Sequence, residues 1–362
     1  MSATPPGSRP VGDSVVGGGV GEGSVVGGSV VGGGWVVGAV IACLDPPDSL
    51  VEAARETLRQ LGGAAAPGGA QTGGAQTGVA QTGVAQTGVA QIRVVAVDDG
   101  SAAPEAAAVF AALAALGVDV LHQSNGGIAA ALNAGITRLR EPVDGGSGPA
   151  FVLTLDQDSR LGPGYVAAAL AAVAALEAEG TPYGFVASES YSGRRAPTDG
   201  PVPGVPALRR AFDPMQSGWV VPVTTFAQVG LLDEALVIDG VDSEFTVRCR
   251  AAGLTPVVAP GAALEHGQGE RVPGRLLGRT VGAVNHHSPT RVRYMARNGV
   301  LITRRYAAAQ PRWVARRLLE EAKAHLLRVV LDPDRRRLAA AMLRGWRDGV
   351  LGRSGPLIPP AT

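Results

Sequence analysis

Short apolar runs alternate with amphipathic segments along the first half of the chain, and each run has the length of a strand. The runs predict buried strands at 35–42, 92–97, 118–121 and 151–155. The segments that follow carry apolar residues at helical spacing and predict helices at 49–61, 104–116, 128–139 and 163–177. Strands followed by helices in this order predict an α/β fold with a mainly parallel central sheet flanked by helices.

The pattern changes beyond residue 190. Residues 190–210 are rich in Pro, Gly and Arg and are predicted to form a loop. Short apolar runs predict strands at 218–222 and 255–259, on either side of a helix predicted at 241–252. The last part of the chain predicts three amphipathic, Arg-rich helices, at 288–306, 311–331 and 334–350.

Two low-complexity segments interrupt the alternation. Residues 1–34 include 12 glycines mixed with Val and Ser, and their composition predicts a disordered tail. Residues 62–91 include nine glycines and repeat the unit Ala-Gln-Thr-Gly-Val with a five-residue period. Because that period is too short for a solenoid, we expect a loop inserted between the first helix and the second strand.

The overall composition excludes several classes of protein. Hydrophobic residues make up 46% of the 362, so a sizeable core can form and the chain is not wholly disordered. There is no run of 18 apolar residues, which argues against a spanning helix. The sequence lacks a basic segment followed by an apolar one at its start, so a cytoplasmic location is the expectation. Cys43 and Cys249 are predicted to be core residues.

Charge is distributed unevenly, although the formal net charge is only +1. Residues 304–362 carry 13 Arg or Lys against five Asp or Glu, so the rest of the chain is acidic. A basic end on an acidic body suggests a membrane surface, a phosphate-bearing acceptor or a nucleic acid as partner. We do not expect nucleic acid, because the basic segment lacks interleaved aromatic residues and any known binding motif.

The sharpest chemical signal follows the strand predicted at 151–155, where Asp156 and Asp158 come in quick succession. Ligands of open α/β sheets bind beyond the carboxyl ends of the strands. There, two carboxylates could hold one Mg²⁺ or Mn²⁺ and leave coordination sites free for substrate phosphates. Asp and Ser after a strand are also ordinary turn formers, so that explanation stays open at this point.

Two more polar motifs follow predicted strands. Asp98 and Asp99 end the strand predicted at 92–97 and could accept hydrogen bonds from a base or ribose, or serve only the turn. Asn125 precedes two glycines at the start of a predicted helix that also contains Asn133. Glycines there allow a ligand to approach the backbone closely, or allow close packing of the helix N-terminus.

Two isolated polar residues complete the candidate chemistry. Asp242 opens the helix predicted at 241–252 and could act as a general base or as a helix cap. His266 follows a short predicted strand and could join the two carboxylates as a third metal ligand, or be structural.

Taken in order, these motifs resemble those of the family 2 glycosyltransferases with the GT-A fold, and within them the bacterial rhamnosyltransferase branch. The most specific part is Leu-Asp-Gln-Asp-Ser at 155–159. It is preceded by the Asn-containing motif at 125–136 and followed by Ile-Asp-Gly-Val-Asp-Ser-Glu-Phe at 238–245. Residues 287–298 resemble the C-terminal signature of the branch, so the resemblance covers about residues 35–306.

The resemblance implies a role for each matching position. Asp156 and Asp158 match the metal-binding Asp-x-Asp that holds the donor diphosphate, and His266 matches a histidine that completes the metal site in some relatives. Asp242 matches the acid that deprotonates the acceptor hydroxyl in a reaction that inverts the anomeric centre. The other candidates are expected near the donor base, ribose or sugar: Asp98, Asp99, Asn125, Asn133, Ser217 and Gly218.

The branch implies dTDP-rhamnose as the donor and a cell-envelope polysaccharide or its lipid-linked precursor as the acceptor. One departure concerns the end of the first strand, which leads to Leu44-Asp45-Pro46 where the branch usually has Tyr-Asn-Pro. A different donor, such as UDP-galactofuranose, is therefore an alternative.

Single features of the sequence are shared with two other kinds of protein. A relative that binds nucleotide sugars without catalysis is an alternative, against which the intact Asp156, Asp158 and Asp242 argue. A dinucleotide-binding dehydrogenase is excluded, because the Gly-rich stretch at 17–24 precedes the first strand and opens no helix.

The expected organisation has four parts: a disordered tail at 1–34, a GT-A domain at 35–270 that contains the 62–91 insertion, a C-terminal helical region at 271–353, and a flexible tail at 354–362. We expect the basic C-terminal helices to contact the inner face of the plasma membrane peripherally.

Overall fold

The computed structural model describes residues 35–65, 92–142, 148–267, 271–276 and 279–357. The predicted tail at 1–34 lies outside the described residues, as do most of the 62–91 insertion and the last residues of the C-terminal tail. The first four residues of that insertion instead complete the first helix, which ends at Ala65.

Most strands belong to one large sheet. In chain order they are β1 Val37–Cys43, β2 Val94–Asp98, β3 Asp119–His122, β4 Phe151–Asp156, β5 Ser159–Leu161, β6 Tyr183–Tyr191, β7 Arg194–Arg195, β8 Thr198–Val202, β9 Val205–Ala211, β10 Trp219–Pro222, β11 Thr255–His266, β12 Arg271–Leu276 and β13 Arg279–Asn285. The sheet runs β3-β2-β1-β4-β10-β6-β11-β9-β8, and β12 and β13 form a separate hairpin. The strands β3, β2, β1 and β4 are parallel, as are β6 and β11, whereas β10 is antiparallel to both of its neighbours.

Helices cover both faces of the sheet. They are α1 Ser49–Ala65, α2 Ala106–Ala115, α3 Ile128–Arg140, α4 Tyr165–Ala178, α5 Val223–Val229, α6 Val241–Ala251, α7 Pro289–Tyr306, α8 Pro311–Leu331 and α9 Arg335–Val350. One core contains side chains of α1, α2 and α4, and the other contains side chains of α3, α5, α6, α7 and α8. The C-terminal helices α7 and α8 are therefore continuous with the second core.

The sequence pattern explains the central strands. All seven residues of β1 are buried, as expected for a near-continuous apolar run in a parallel sheet covered on both faces. Both cysteines are buried and free, and burial raises the pKa of each thiol to about 12, which confirms them as core residues. The predicted α/β fold with its mainly parallel sheet and its C-terminal helices is confirmed.

Three local predictions were wrong. Residues 190–210 form β7, β8 and β9 rather than a loop, because β9 pairs with β11 and Asp199 forms ion pairs with Arg250 and Arg316. The strand predicted at 255–259 continues to His266, with a register shift at which its pairing with β6 resumes. The region predicted as helical from residue 271 begins with the β12–β13 hairpin.

The register of the sheet brings several strand ends to one edge. Cys43 at the end of β1 lies opposite Asp98, and Ala42 lies opposite Asp156. Because β10 runs antiparallel to β4, with Trp219 opposite Thr154, the residues just before β10 reach the same edge. This edge is where the sequence analysis expects ligands.

Candidate active site

A cavity of about 660 Å³ opens at this edge of the sheet. Its walls come from the loops after β1, β2 and β4, the start of α3, the segment before β10 and the residues that lead into α6. His266 and the first turns of α7 complete the lining. Of the sequence candidates, it is lined by Asp99, Asn125, Asp156, Asp158, Asp242 and His266.

The structure brings Asp156, Asp158 and His266 together. Each offers one ligand atom, and these atoms all lie within 4.8 Å of one another. His266 reaches the two carboxylates because β11 pairs with β5, which places it opposite Ser159. Its Nδ1 lies 3.2 Å from Asp158 Oδ1 and 2.8 Å from the Ser159 hydroxyl.

This donor set fits a hard divalent cation. Two carboxylate oxygens and one imidazole nitrogen suit Mg²⁺ or Mn²⁺. Burial raises the pKa of Asp156 to about 7, and the charges of Asp158 and Asp242 add to the rise. The backbone of Gly267 approaches the Asp158 carboxylate so closely that a Cβ at this position would collide with it. The site thus concentrates negative charge that a cation would neutralise.

Asp156 is held by residues that precede β10. The Gln216 amide donates a hydrogen bond to Asp156 Oδ1, and the Ser217 hydroxyl accepts one from the Asp156 amide at 3.0 Å. Ser217 is fully buried and also donates to Ser159 at 2.7 Å. Gln216 lines the cavity, whereas Ser217 and Gly218 lie behind it and support β4. Sequence reasoning missed Gln216, although it adjoins the Ser-Gly pair.

The two acids after β2 differ in position. Asp99 lines the cavity, and its carboxylate accepts hydrogen bonds from the Gln123 side chain at 2.8 Å and from the amides of Gly126 and Gly127 at 2.8 and 2.9 Å. Asp98 accepts a hydrogen bond from the Ser101 amide at 2.8 Å and is paired with His122. Both carboxylates therefore organise the loops around the cavity, and only Asp99 faces it.

The two asparagines of the α3 motif also differ in whether they line the cavity. Asn125 lines the cavity. Asn133 is buried in α3, where its side chain donates to the Leu232 carbonyl at 2.9 Å and to Glu234 at 2.8 Å, and accepts from the Leu232 amide at 3.0 Å. The structure does not bring Asn133 to the cavity, because its amide is used to anchor the chain that precedes α6.

Asp242 lies in the first turn of α6 and lines the same cavity as Asp156, on which its charge acts. Burial raises the pKa of Asp242 above its ordinary value. The hydrogen bond from the Ser243 amide, at 2.8 Å, and the charge of Arg317 oppose that rise, whereas Asp239 adds to it. A carboxylate with a raised pKa, facing a cavity, suits proton abstraction near neutral pH.

Near Asp242, one arginine forms ion pairs with two carboxylates. Arg317 of α8 lies 3.6 Å from Asp213 and 3.0 Å from Glu321. Asp213 in turn accepts a hydrogen bond from the Ser243 hydroxyl at 2.9 Å. Sequence reasoning missed Arg317, because 75 residues separate it from Asp242 and only tertiary packing joins them.

The loop that leads into α6 is fixed from α7. The Asn298 side chain donates to the carbonyls of Leu236, Ile238 and Asp239, at 3.0, 2.9 and 2.6 Å. Val237 and Asp239 both have a left-handed backbone, with φ of 67° and 59°. Side chains rarely adopt that conformation unless their surroundings hold them in it.

Two other side chains shape the cavity rim. Arg291 at the start of α7 forms an ion pair with Asp239 at 3.0 Å, and its charge also acts on Asp156 and Asp242. Leu44 lines the opposite side and is 43% exposed, with its amide and carbonyl both bonded to the Gln157 side chain. The rim position where the branch usually has Tyr is therefore apolar here, and the next position carries Asp45.

Comparison with known proteins gives one family match and one partial match to a curated protein. Residues 83–236 match the family described as Glycosyl transferase family 2. The dTDP-rhamnosyl transferase RfbF of Shigella flexneri is 33% identical over 91 residues, which cover 25% of this chain and 29% of that protein. The family match supports a glycosyltransferase.

Two solved structures share part of the fold. A crystal structure of GalNAc-T7 with UDP, GalNAc and Mn²⁺ matches 75% of this chain and 48% of that one, with a TM-score of 0.44 and 14% identity. A crystal structure of S. aureus TarS matches 86% and 43%, with a TM-score of 0.40 and 13% identity. The chain thus spans less than half the length of each of these three proteins.

Proposed function

We propose that the chain is an inverting, divalent-metal-dependent glycosyltransferase of family 2 that transfers rhamnose from dTDP-rhamnose to a cell-envelope polysaccharide or a lipid-linked glycan. The observation that carries the proposal is that the Asp156, Asp158 and His266 cluster lines the same cavity as Asp242, whose charge acts on Asp156. The family match over 83–236 supports the reaction class. The partial identity to a dTDP-rhamnosyl transferase supports the sugar.

Asp156, Asp158 and His266 would hold the metal. A bound divalent cation supplies Lewis acidity to the donor diphosphate, whose negative charge grows as the sugar leaves. Arg291 would add positive charge from the other side of the cavity, since its charge already acts on Asp156 and Asp242. Gln216 keeps the Asp156 carboxylate oriented in the site.

Asp242 would act as the general base. It removes the proton from the acceptor hydroxyl while that oxygen bonds to the anomeric carbon, and the bond from that carbon to the diphosphate oxygen breaks on the opposite face. The proton ends on Asp242 and the electron pair on the diphosphate. A single displacement of this kind inverts the anomeric centre and needs no covalent enzyme intermediate.

Asp99 and Asn125 would contact the donor; the support for this is that both line the cavity near the start of α3. The N-terminus of a helix favours anionic ligands such as phosphates. Asp98, Ser217 and Gly218 would act indirectly, by holding the loops and strands that carry the cavity-lining residues.

A second donor is kept as a candidate because Leu44 lines the cavity where the branch usually has Tyr. That difference bears on recognition of the donor base, so UDP-galactofuranose is the alternative donor. We place the reaction in the cytoplasm at the inner face of the plasma membrane, because residues 304–362 carry the basic excess that an anionic surface attracts.

A donor panel tests the proposal. The purified full chain is incubated with dTDP-rhamnose, UDP-galactofuranose and other nucleotide sugars, each with Mg²⁺, Mn²⁺ or chelator, and nucleotide release is measured. We expect release from dTDP-rhamnose that requires the metal. Release confined to UDP sugars would overturn the rhamnose assignment, and full activity in chelator would overturn the metal site.

A further inference from the structure

Eleven large apolar side chains are exposed in the part of the chain that the structure describes, and nine of them lie between residues 318 and 351. They are Leu318, Leu319, Leu326, Leu327, Val330, Leu343, Trp346, Val350 and Leu351. Single exposed apolar residues are ordinary on a protein surface, but a concentration of them marks an interaction surface.

On α8, three of the five exposed apolar residues share a face with two cations, of which Lys323 forms an exposed ion pair with Glu320 at 3.1 Å. The side chains on this face, at helical spacing, are those of Arg312, Leu319, Lys323, Leu326 and Val330. The opposite face of the helix, which includes Trp313 and Val314, is buried in the second core. A helix whose inner face already packs against the core does not need a second apolar face for folding.

The next helix repeats the arrangement. One face of α9 carries Arg336, Leu343, Trp346, Arg347 and Val350, whereas the packed face includes the glycines at 345 and 349. The rings of Trp346 and His325 contact each other edge to face at 6.2 Å, which packs α9 against the side of α8 that carries the buried His325. We call these ten residues of α8 and α9 the α8–α9 face.

The charge of this surface has one sign on α9. The helix has one carboxylate, Asp348, which is 3% exposed and paired with Arg293 and Arg353. The five arginines of α9 form no ion pair with any carboxylate that the structure describes: Arg335, Arg336, Arg337, Arg344 and Arg347. The partner must therefore supply both apolar contact and negative charge.

We propose that the α8–α9 face docks on an anionic lipid bilayer, with its leucines and Trp346 in the interface and its arginines against lipid phosphates. Amphipathic helices with Arg on the flanks and Leu or Trp between bind membranes in this way. A second copy of the chain fits less well, because it would bring like charges together. Among the described residues no helix is long and apolar enough to cross the bilayer, so the docking is peripheral.

This inference rests on the proposed function in one respect, the lipid-linked acceptor. Docking would give the enzyme access to that acceptor, and the α8–α9 face is the surface that would make the membrane contact. The helix α8 that carries the face also carries Arg317, which lies behind the proposed base. Docking would therefore hold the catalytic cavity at a fixed distance from the lipid surface.

Co-sedimentation of the full chain with vesicles tests the inference. Vesicles of phosphatidylcholine are compared with an equal mixture of phosphatidylcholine and phosphatidylglycerol, at low and high salt. We expect binding to the anionic vesicles that weakens as salt is raised. Two triple variants separate the contributions, Leu319→Gln/Leu326→Gln/Leu343→Gln and Arg312→Gln/Arg336→Gln/Arg347→Gln.

Each variant has a defined expectation. Losing three arginines should weaken binding about a hundredfold at low salt, and losing three leucines should weaken it at least about tenfold. The matched control, Arg194→Gln/Arg195→Gln/Arg209→Gln, removes the same charge from exposed positions on β7 and β9 and should bind as the wild type does. Wild-type binding by both test variants, or equal loss in the control, would overturn the assignment.

Trp346 reports insertion directly. It is the one exposed tryptophan of the four in the chain, all of which the structure describes. Anionic vesicles should shift the fluorescence emission to the blue, and Trp346→Phe should abolish the shift while it preserves binding. Concentration-dependent dimerisation in light scattering, lost in the leucine variant, would assign the face to a second copy instead.

The outcomes for docking and for catalysis are separable. Binding to vesicles without sugar transfer would leave the docking surface standing and remove the proposed function. Metal-dependent transfer by a chain that ignores anionic vesicles would do the reverse.

Discussion

The cavity edge of the sheet and the α8–α9 face carry opposite signs of charge. At the cavity, Asp156, Asp158 and Asp242 gather negative charge around an empty volume, and burial raises the pKa of Asp156 to about 7. On the α8–α9 face, arginines stand beside exposed leucines, and α9 offers them no exposed carboxylate. In both places one sign of charge predominates: Arg291 is the cation that faces the cavity acids, and Glu320 pairs with Lys323 on the α8–α9 face, so each region favours a partner of opposite sign.

The two regions also differ in how they are held. The cavity is built from side chains whose hydrogen-bonding groups are committed, such as Asp99 with its three donors. The α8–α9 face consists of side chains that contact little. We therefore expect substitutions at the cavity to act on chemistry in large steps, and substitutions on the face to act on location in graded ones. The following four changes test and refine that contrast.

The largest effect is expected for Asp242→Asn. Removing the general base should lower turnover on the order of a thousandfold, because proton transfer in the transition state is worth between about a hundredfold and ten-thousandfold. Donor affinity, measured by calorimetry, should change little. The control Glu179→Gln removes an exposed carboxylate remote from the cavity and should keep full turnover. Near-normal turnover in Asp242→Asn would remove this residue from the mechanism.

The second change concerns the metal site. His266→Ala should weaken Mn²⁺ binding by at least about tenfold, as even residues that only support metal ligands contribute that much. Binding is measured on the protein without donor, by electron paramagnetic resonance. Glu265→Gln, an exposed neighbour on the same strand, is the matched control. Equal Mn²⁺ affinity in both variants would show that Asp156 and Asp158 act without the histidine.

The third change tests the link between the two regions. Arg317 lowers the pKa of Asp242, so Arg317→Gln should raise that pKa further. The base then becomes protonated at a higher pH, and the acidic limb of kcat/KM should move upward. Arg317→Lys should restore most of the profile, and Arg312→Gln on the same helix should leave it unchanged. A uniform loss of activity at every pH would point to packing instead.

The smallest effect on chemistry is expected for Asn298→Ala, although it should affect stability. The partly buried carbonyls of Ile238 and Asp239 would lose this donor, whereas the Leu236 carbonyl keeps its bond from Arg297, and each unsatisfied group costs about 1–3 kcal/mol unless water reaches it. We expect the free energy of unfolding to fall by about 2 kcal/mol or more, measured by denaturant titration. The exposed Asn285→Ala should be neutral.

Much of the fold was predictable because its elements are local. The strands β1, β2 and β4 are continuous apolar runs, and the helices after them have clear spacing, so their bounds were met within a few residues. The strands β8 and β9 were missed because Pro and Gly mask their alternation. Their pairing is fixed by contacts with β11 and by Asp199, which local patterns do not report.

The site was predictable to the extent that it follows strand ends. Asp156, Asp158 and Asp242 were found because acids after apolar runs are conspicuous, and His266 through family resemblance. Gln216, Arg291 and Arg317 were missed because their importance arises from packing between distant segments. Asn133 was assigned to the donor because it shares a motif with Asn125, yet its side chain faces Leu232.

The hydrogen bonds from the Asn298 side chain to the loop before α6 have a thermodynamic consequence. The loop is already fixed in a left-handed backbone at Val237 and Asp239, and the guanidinium of Arg297 adds a further bond to the Leu236 carbonyl at 3.1 Å. Ordering a backbone residue costs about 1–2 kcal/mol of entropy, and here folding has already met that cost. Substrate that binds against the loop before α6 therefore need not order its backbone. The entropy change of association should come from released water and from the substrate itself.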